Sequence, residues 1–145
     1  MQNILLIDDD EDDIFFHTRA INKCGEQFNI DVCCSGDDAL DYFQNKGAYS
    51  DRKGQPPVPD LVFLDVNMPR VNGWEFLDCY SRIMNKSRDC QNPLFIMLTT
   101  SANATDQQRA QESELVFEYM EKPLRTQDMQ RIVDQYTEFG RENSA

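Results

Sequence analysis

Positive charge, paired cysteines and long apolar runs are all scarce in this sequence. Fourteen basic residues face 26 acidic ones, a formal net charge of −12. Such a surface is not built to neutralise nucleic-acid phosphates or anionic lipid, so neither direct nucleic-acid binding nor membrane binding is expected. The five cysteines (Cys24, Cys33, Cys34, Cys79, Cys90) include no C-x-x-C pair and no second cluster at zinc-site spacing, which argues against a disulfide framework or a structural zinc. No stretch is long enough for a transmembrane span. The opening MQNILLIDDDEDD has four apolar residues and then acids, where a signal peptide needs a basic start and a longer apolar run. Together these absences predict a reducing, cytoplasmic setting. At 145 residues, with no linker, repeat or low-complexity segment, the chain is expected to be one domain over 1–145, with a core at about 3–139, a short tail at 140–145 and no output module.

What is present is enough to fold: 40% of residues are hydrophobic and nine Phe, five Tyr and one Trp can supply a core. The acidity is concentrated. Asp8, Asp9, Asp10, Glu11, Asp12 and Asp13 are six consecutive acids and account for half of the excess. Asp10 to Asp13 read as a helix start, where Asp caps well and acids gain from the helix dipole. Asp8 and Asp9 do not fit that reading, because they follow directly on the strand-like run Ile4 to Ile7.

Apolar runs alternate with segments of helical period. Strands are expected at 4–7, 28–33, 61–64, 94–98 and 115–119, and helices at 11–24, 37–46, 73–86, 105–113 and 126–139. Asn72-Gly73 marks the start of the third helix and Pro123 the end of the fifth strand. Residues 47–59, with three prolines and two glycines, form the one long loop and read as a surface connector. The alternation is an α/β, doubly wound (βα)5 pattern with a five-stranded parallel sheet.

In an open parallel sheet, ligands bind beyond the carboxyl ends of the strands. There the chain places Asp8-Asp9 after the first run, Asp65 after the third, Thr99 after the fourth and Lys122-Pro123 after the fifth. Three carboxylates about 5 Å apart repel by about 3 kcal/mol per pair at an effective dielectric near 20. A hard divalent cation, magnesium or manganese, would offset this and leave coordination positions open for a phosphoryl group. One carboxylate could then act as nucleophile toward a phosphoryl donor, with Lys122 and the Thr99 hydroxyl binding the phosphoryl oxygens.

These motifs, ILLIDDD, LVFLDVNMPRVNG, FIMLTTSA and YMEKPL, resemble those of response-regulator receiver domains of the CheY-like, flavodoxin-like fold, over about residues 3–139. The resemblance implies the strand order 2-1-3-4-5. It implies that Asp65 is the phosphoacceptor, served by a sensor histidine kinase or a histidine phosphotransfer protein. It implies that Asp9 ligates Mg2+ directly and Asp8 through water, with Asp65 and the Asn67 carbonyl completing the set. Lys122 would pair with the phosphoryl oxygens, Thr99 would move toward them, Tyr119 would be the switch aromatic, and the Lys122–Pro123 bond would be cis. The switching face would comprise the fourth helix, fifth strand and fifth helix, the face through which receivers also form homodimers. Output would pass to an unknown downstream protein or, in a phosphorelay, to another histidine. His17, the one histidine, lies beside Phe16, Ala20 and Ile21 and reads as a packing residue, not a phosphodonor.

Two other classes fit less well. Haloacid-dehalogenase-type phosphatases also use an Asp after a parallel strand, but carry a second Asp two residues on as general acid. Here that position is Asn67, which has no proton to give, so a turnover enzyme is not expected. A flavodoxin-like electron carrier needs amides and hydroxyls in its first phosphate loop, where this chain has acids.

Overall fold

Five short runs rich in Leu, Ile, Val and Phe pair into one parallel sheet, and the segments between them fold as helices. The computed structural model describes residues 2–54, 58–84 and 92–143. In chain order the elements are β1 (Asn3–Ile7), α1 (Glu11–Asn22), β2 (Asn29–Cys33), α2 (Gly36–Gln44), a 3-10 turn (Gly47–Tyr49), β3 (Leu61–Asp65), α3 (Gly73–Met84), β4 (Leu94–Thr99), α4 (Ala104–Glu112), β5 (Val116–Glu121) and α5 (Thr126–Asn143). The sheet order is β2-β1-β3-β4-β5, all parallel. The (βα)5 expectation and its strand order therefore hold.

Alternate side chains of each strand enter two separate apolar layers. Leu5, Ile7, Val62, Leu64, Phe95 and Met97 pack with Phe43, Phe76, Leu77 and Tyr80 of α2 and α3. Ile4, Leu6, Leu61, Phe63, Ile96 and Leu98 pack with Ile21 of α1 and Met129, Ile132 and Val133 of α5. β3 lies at the centre with every residue buried, Asp65 included. Burying each large apolar side chain is worth about 1.5–3 kcal/mol, and this two-sided core anchors the strand ends that carry the site.

Local chemistry sets the helix starts. Asp10 caps α1 by accepting from the Asp12 and Asp13 N–H groups, Ser35 caps α2 through Asp38 N–H, and Asn103 caps α4 through Asp106 N–H. At α3, Asn72 Oδ1 accepts from Glu75 N–H at 2.9 Å, and Glu75 reaches back to Asn72 N–H at 3.4 Å. Gly73 is required there: a Cβ would lie 2.7 Å from the Asp65 carbonyl oxygen, so only glycine lets α3 start against the backbone of that residue.

Several boundaries differ from the sequence expectation. β5 runs from Val116 to Glu121 instead of 115–119, because pairing with β4, not apolarity, decides where it stops, and Thr99 pairs with Glu121. β3 and β4 each extend by one residue to include Asp65 and Thr99. α1 ends at Asn22, and α2 ends at Gln44, where Asn45 turns left-handed with φ 52°. α5 continues beyond 139 to Asn143. Residues 85–86 of the expected third helix, Cys90 and part of the 47–59 loop lie outside the described residues. The first half of that loop is more than a connector. Its 3-10 turn brings Tyr49 against α2, and the Arg52 guanidinium lies 4.4 Å from the Tyr42 ring centroid and 4.3 Å from that of Tyr49. Cys24, Cys33, Cys34 and Cys79 are free thiols.

Candidate functional site

The carboxyl ends of β1, β3, β4 and β5 bring Asp8, Asp65, Thr99 and Lys122 to one edge of the sheet. Asp8 follows β1 and is fixed at its backbone, donating N–H to the Cys33 carbonyl at 3.1 Å. Asp65 ends β3, and Val66 N–H bonds to the Leu98 carbonyl at 2.9 Å. Lys122 follows β5 and donates its N–H to the Thr99 carbonyl at 2.7 Å. The Lys122–Pro123 peptide bond is cis.

The side chains converge in a buried, charged pocket. Asp8 is 4% exposed, Asp65 5% and Thr99 0%. Lys122 Nζ donates to Asp13 Oδ2 at 2.7 Å and to Asp8 Oδ2 at 3.0 Å, and lies 3.3 Å from Asp65 Oδ1. Asp8, Asp9 and Asp65 each offer a carboxylate oxygen, and those oxygens all lie within 4.8 Å of one another. Asp8 and Asp65 are buried and Asp9 is exposed, so the triad opens to solvent on one side. A set of hard oxygen donors with one open side suits Mg2+ or Mn2+, which bind through few carboxylates and keep other positions for water or phosphate.

The charges explain how the acids titrate. Burial and the neighbouring Asp8 carboxylate push Asp65 up to about 7, and Lys122 and the Asn67 N–H offset this only in part. Burial alone would lower Lys122, but its bonds to Asp13 and Asp8 and the charge of Asp65 hold it well above the ordinary lysine value. The surroundings therefore favour the ammonium, while Asp65 is the group whose charge is poorly tolerated.

Thr99 and Asn67 form the far wall. Asn67 N–H donates to Asp65 Oδ1 at 3.2 Å, and Asn67 Nδ2 donates to Thr99 Oγ1 at 3.4 Å. Thr99 Oγ1 also exchanges bonds with the Ser101 backbone, accepting from its N–H at 3.2 Å and donating to its carbonyl at 3.3 Å. Thr99 is thus already tied to the loop that leads into α4. Tyr119 lies outside the pocket: half-buried on β5, its hydroxyl accepts from the Asn103 N–H at the cap of α4, 3.3 Å away. Trp74 of α3 approaches the same helix, its indole N–H donating to Asp106 at 3.2 Å.

Two features differ from the sequence expectation or add to it. Asp13 belongs to the pocket, although its helix-start position accounts for it locally; Asp10 makes the cap and the Asp13 side chain turns to Lys122. His17 is buried as expected for a packing residue, yet among the described residues its Nε2 has no hydrogen-bond partner, and burial holds its pKa below the ordinary histidine value against the opposing pull of Asp8.

Comparison with known proteins agrees with this fold. Residues 4–134 match the family model of the response regulator receiver domain. A probable methanogenesis regulatory protein, FilR2, from Methanothrix harundinacea is 33% identical over 137 residues, covering 94% of this chain and 81% of that one. A two-component response regulator from Cytophaga hutchinsonii superposes with a TM-score of 0.76 at 26% identity, covering 95% of this chain and 98% of that one. The bacteriophytochrome response regulator AtBRR gives a TM-score of 0.74 at 28% identity, covering 94% and 93%.

Proposed function

The chain belongs to the response-regulator receiver family of two-component signalling, and from that premise we propose that Asp65 accepts a phosphoryl group and that the resulting charge switches a protein-binding surface. The observation that carries this reading is the pocket itself: a buried Asp65 with an ammonium 3.3 Å away and two further carboxylates within reach of a shared cation. Receiver domains in general are not turnover enzymes, and the partners such a domain implies are kinases or phosphotransfer proteins.

In the proposed reaction an Asp65 carboxylate oxygen attacks the phosphorus of a phosphohistidine. The O–P bond forms as the P–N bond breaks, and the released imidazole takes a proton. Asp65 is nucleophilic only when ionised, and Lys122 and the Asn67 N–H are the protein groups beside it that favour the ionised form. Asp8, Asp9 and Asp65, with the Asn67 carbonyl, would hold Mg2+ or Mn2+, which when bound neutralises charge on the phosphoryl oxygens. The phosphoryl group turns one negative charge at Asp65 into about two. Thr99 then has a stronger acceptor than Ser101, and its loop, which leads into α4, follows. Asn103 is the link to Tyr119, so movement of that loop changes the face formed by α4, β5 and α5.

Acetyl phosphate with Mg2+ is expected to add one acid-labile phosphoryl group to the wild type and none to Asp65→Asn, read as intact mass. Incorporation surviving that substitution overturns the assignment.

A further inference from the structure

One acid in the pocket has no part in the chemistry above. Asp13 is not among the three carboxylates that cluster as cation ligands, it is not the nucleophile, and Asp10 makes the cap of its helix. Yet its Oδ2 is the nearest acceptor of Lys122 Nζ, at 2.7 Å against 3.0 Å for Asp8 and 3.3 Å for Asp65.

We propose that Asp13 is a positioning residue for Lys122: it anchors the ammonium in the pocket independently of Asp8 and Asp65, so that Lys122 stays in place when those two carboxylates take other partners. This rests on the phosphoacceptor reading. Lys122 has three donors, and in the structure three carboxylates surround them. Two of the three, Asp8 and Asp65, belong to the cation-binding group, and a carboxylate whose charge is shared with a cation attracts the ammonium much less. Asp13 keeps its whole charge. Its side chain is 27% exposed against 5% for Asp8 and 6% for Asp65, so water solvates its ionised form and it needs no second counterion. Without Asp13, the four-carbon stem of Lys122 is free to swing its ammonium toward solvent, where hydration and rotamer entropy both favour it. Placement by the fold supports this role: Asp13 lies in the first turn of α1, which Asp10 fixes, whereas Lys122 directly follows β5, so the contact ties the start of α1 to the residue after β5.

The test needs a readout that a purely structural residue would not move. In 15N-labelled wild type saturated with Mg2+, where Asp8 and Asp65 share their charge with the cation, the Lys122 ammonium should give a slowly exchanging cross-peak, and Asp13→Asn should lose it. With acetyl phosphate and Mg2+, Asp13→Asn should be phosphorylated about tenfold more slowly than wild type. In a Lys122→Met background the same substitution should produce no further loss of rate. Asp13→Glu, which keeps the charge, should restore both signal and rate in part and guards against a folding defect in the first variant. A wild-type-like ammonium signal in Asp13→Asn overturns the proposal, as does an equal loss of rate with and without Lys122. If the wild type itself takes no phosphoryl group, the phosphoacceptor reading fails, and the ammonium signal alone decides the role of Asp13.

Discussion

Two aspartates bracket the central strand, and the fold treats them in opposite ways. Asp60 precedes β3 at the amino-terminal edge of the sheet. It accepts from the N–H groups of Gln2 and Asn3 at 2.8 and 2.9 Å and from the Tyr136 hydroxyl at 3.0 Å. Burial would push its pKa up, but these donors outweigh it and hold the carboxyl below its ordinary value. Asp65 ends the same strand. Among the described residues its donors are the Asn67 N–H and a shared ammonium, and burial together with Asp8 pushes it up to about 7. A carboxylate that serves the fold is given its donors by the chain. Asp65 is left short of them, and under the proposed function the shortfall is what Mg2+ or Mn2+ would fill.

The contrast can be broken or sharpened by measurement. The largest effect is expected at the satisfied end: Asp60→Ala removes the acceptor of three hydrogen bonds and should cost about 2 kcal/mol in chemical denaturation at pH 7, while phosphorylation by acetyl phosphate persists. Next comes metal. Mg2+ at ten times its dissociation constant should stabilise the wild type by about 1.4 kcal/mol, and Asp65→Asn should respond much less. Smaller still is the substitution at the unsatisfied end. In the absence of metal at pH 8, Asp65→Asn should raise stability by about 1 kcal/mol, the opposite sign to Asp60→Ala.

The two aspartates also oppose each other with pH. Asp60 has a lowered folded pKa, so its contribution is present above the unfolded carboxylate range and is lost as pH falls through the folded value. Asp65 has a raised folded pKa, so its contribution is present below about 4 and is lost as pH rises through about 7. Metal-free wild type should therefore lose melting temperature between about pH 4 and pH 7 from Asp65, and Asp65→Asn should flatten that slope.

Much of this was legible in the sequence, because a buried parallel strand is a continuous apolar run and the residue after it stands at the ligand edge. Asp8, Asp9, Asp65, Thr99 and Lys122 could be picked out on that basis. Asp13 could not. Its helix-start position has a sufficient local explanation, and its contact with Lys122 joins residues 109 apart in the chain. Asp60 was equally silent, since its donors are the backbone N–H groups of Gln2 and Asn3 and the Tyr136 hydroxyl of α5, which only the fold brings near. The end of β5 was misplaced for a related reason: Glu121 pairs with Thr99 although neither is apolar. The Arg52 contact with Tyr42 and Tyr49 depends on a 3-10 turn inside a loop whose glycines and prolines mark only the absence of longer elements.

The fold leaves Asp65 short of donors while satisfying Asp60. The most direct test of this contrast is a side-chain carboxyl 13C titration of both residues in one sample, without metal and then with Mg2+. Metal-free Asp65 is expected to titrate near 7 with Asp60 well below it, and Mg2+ is expected to move Asp65 down sharply while leaving Asp60 in place. An Asp65 that titrates alongside Asp60 and does not respond to Mg2+ would contradict the contrast.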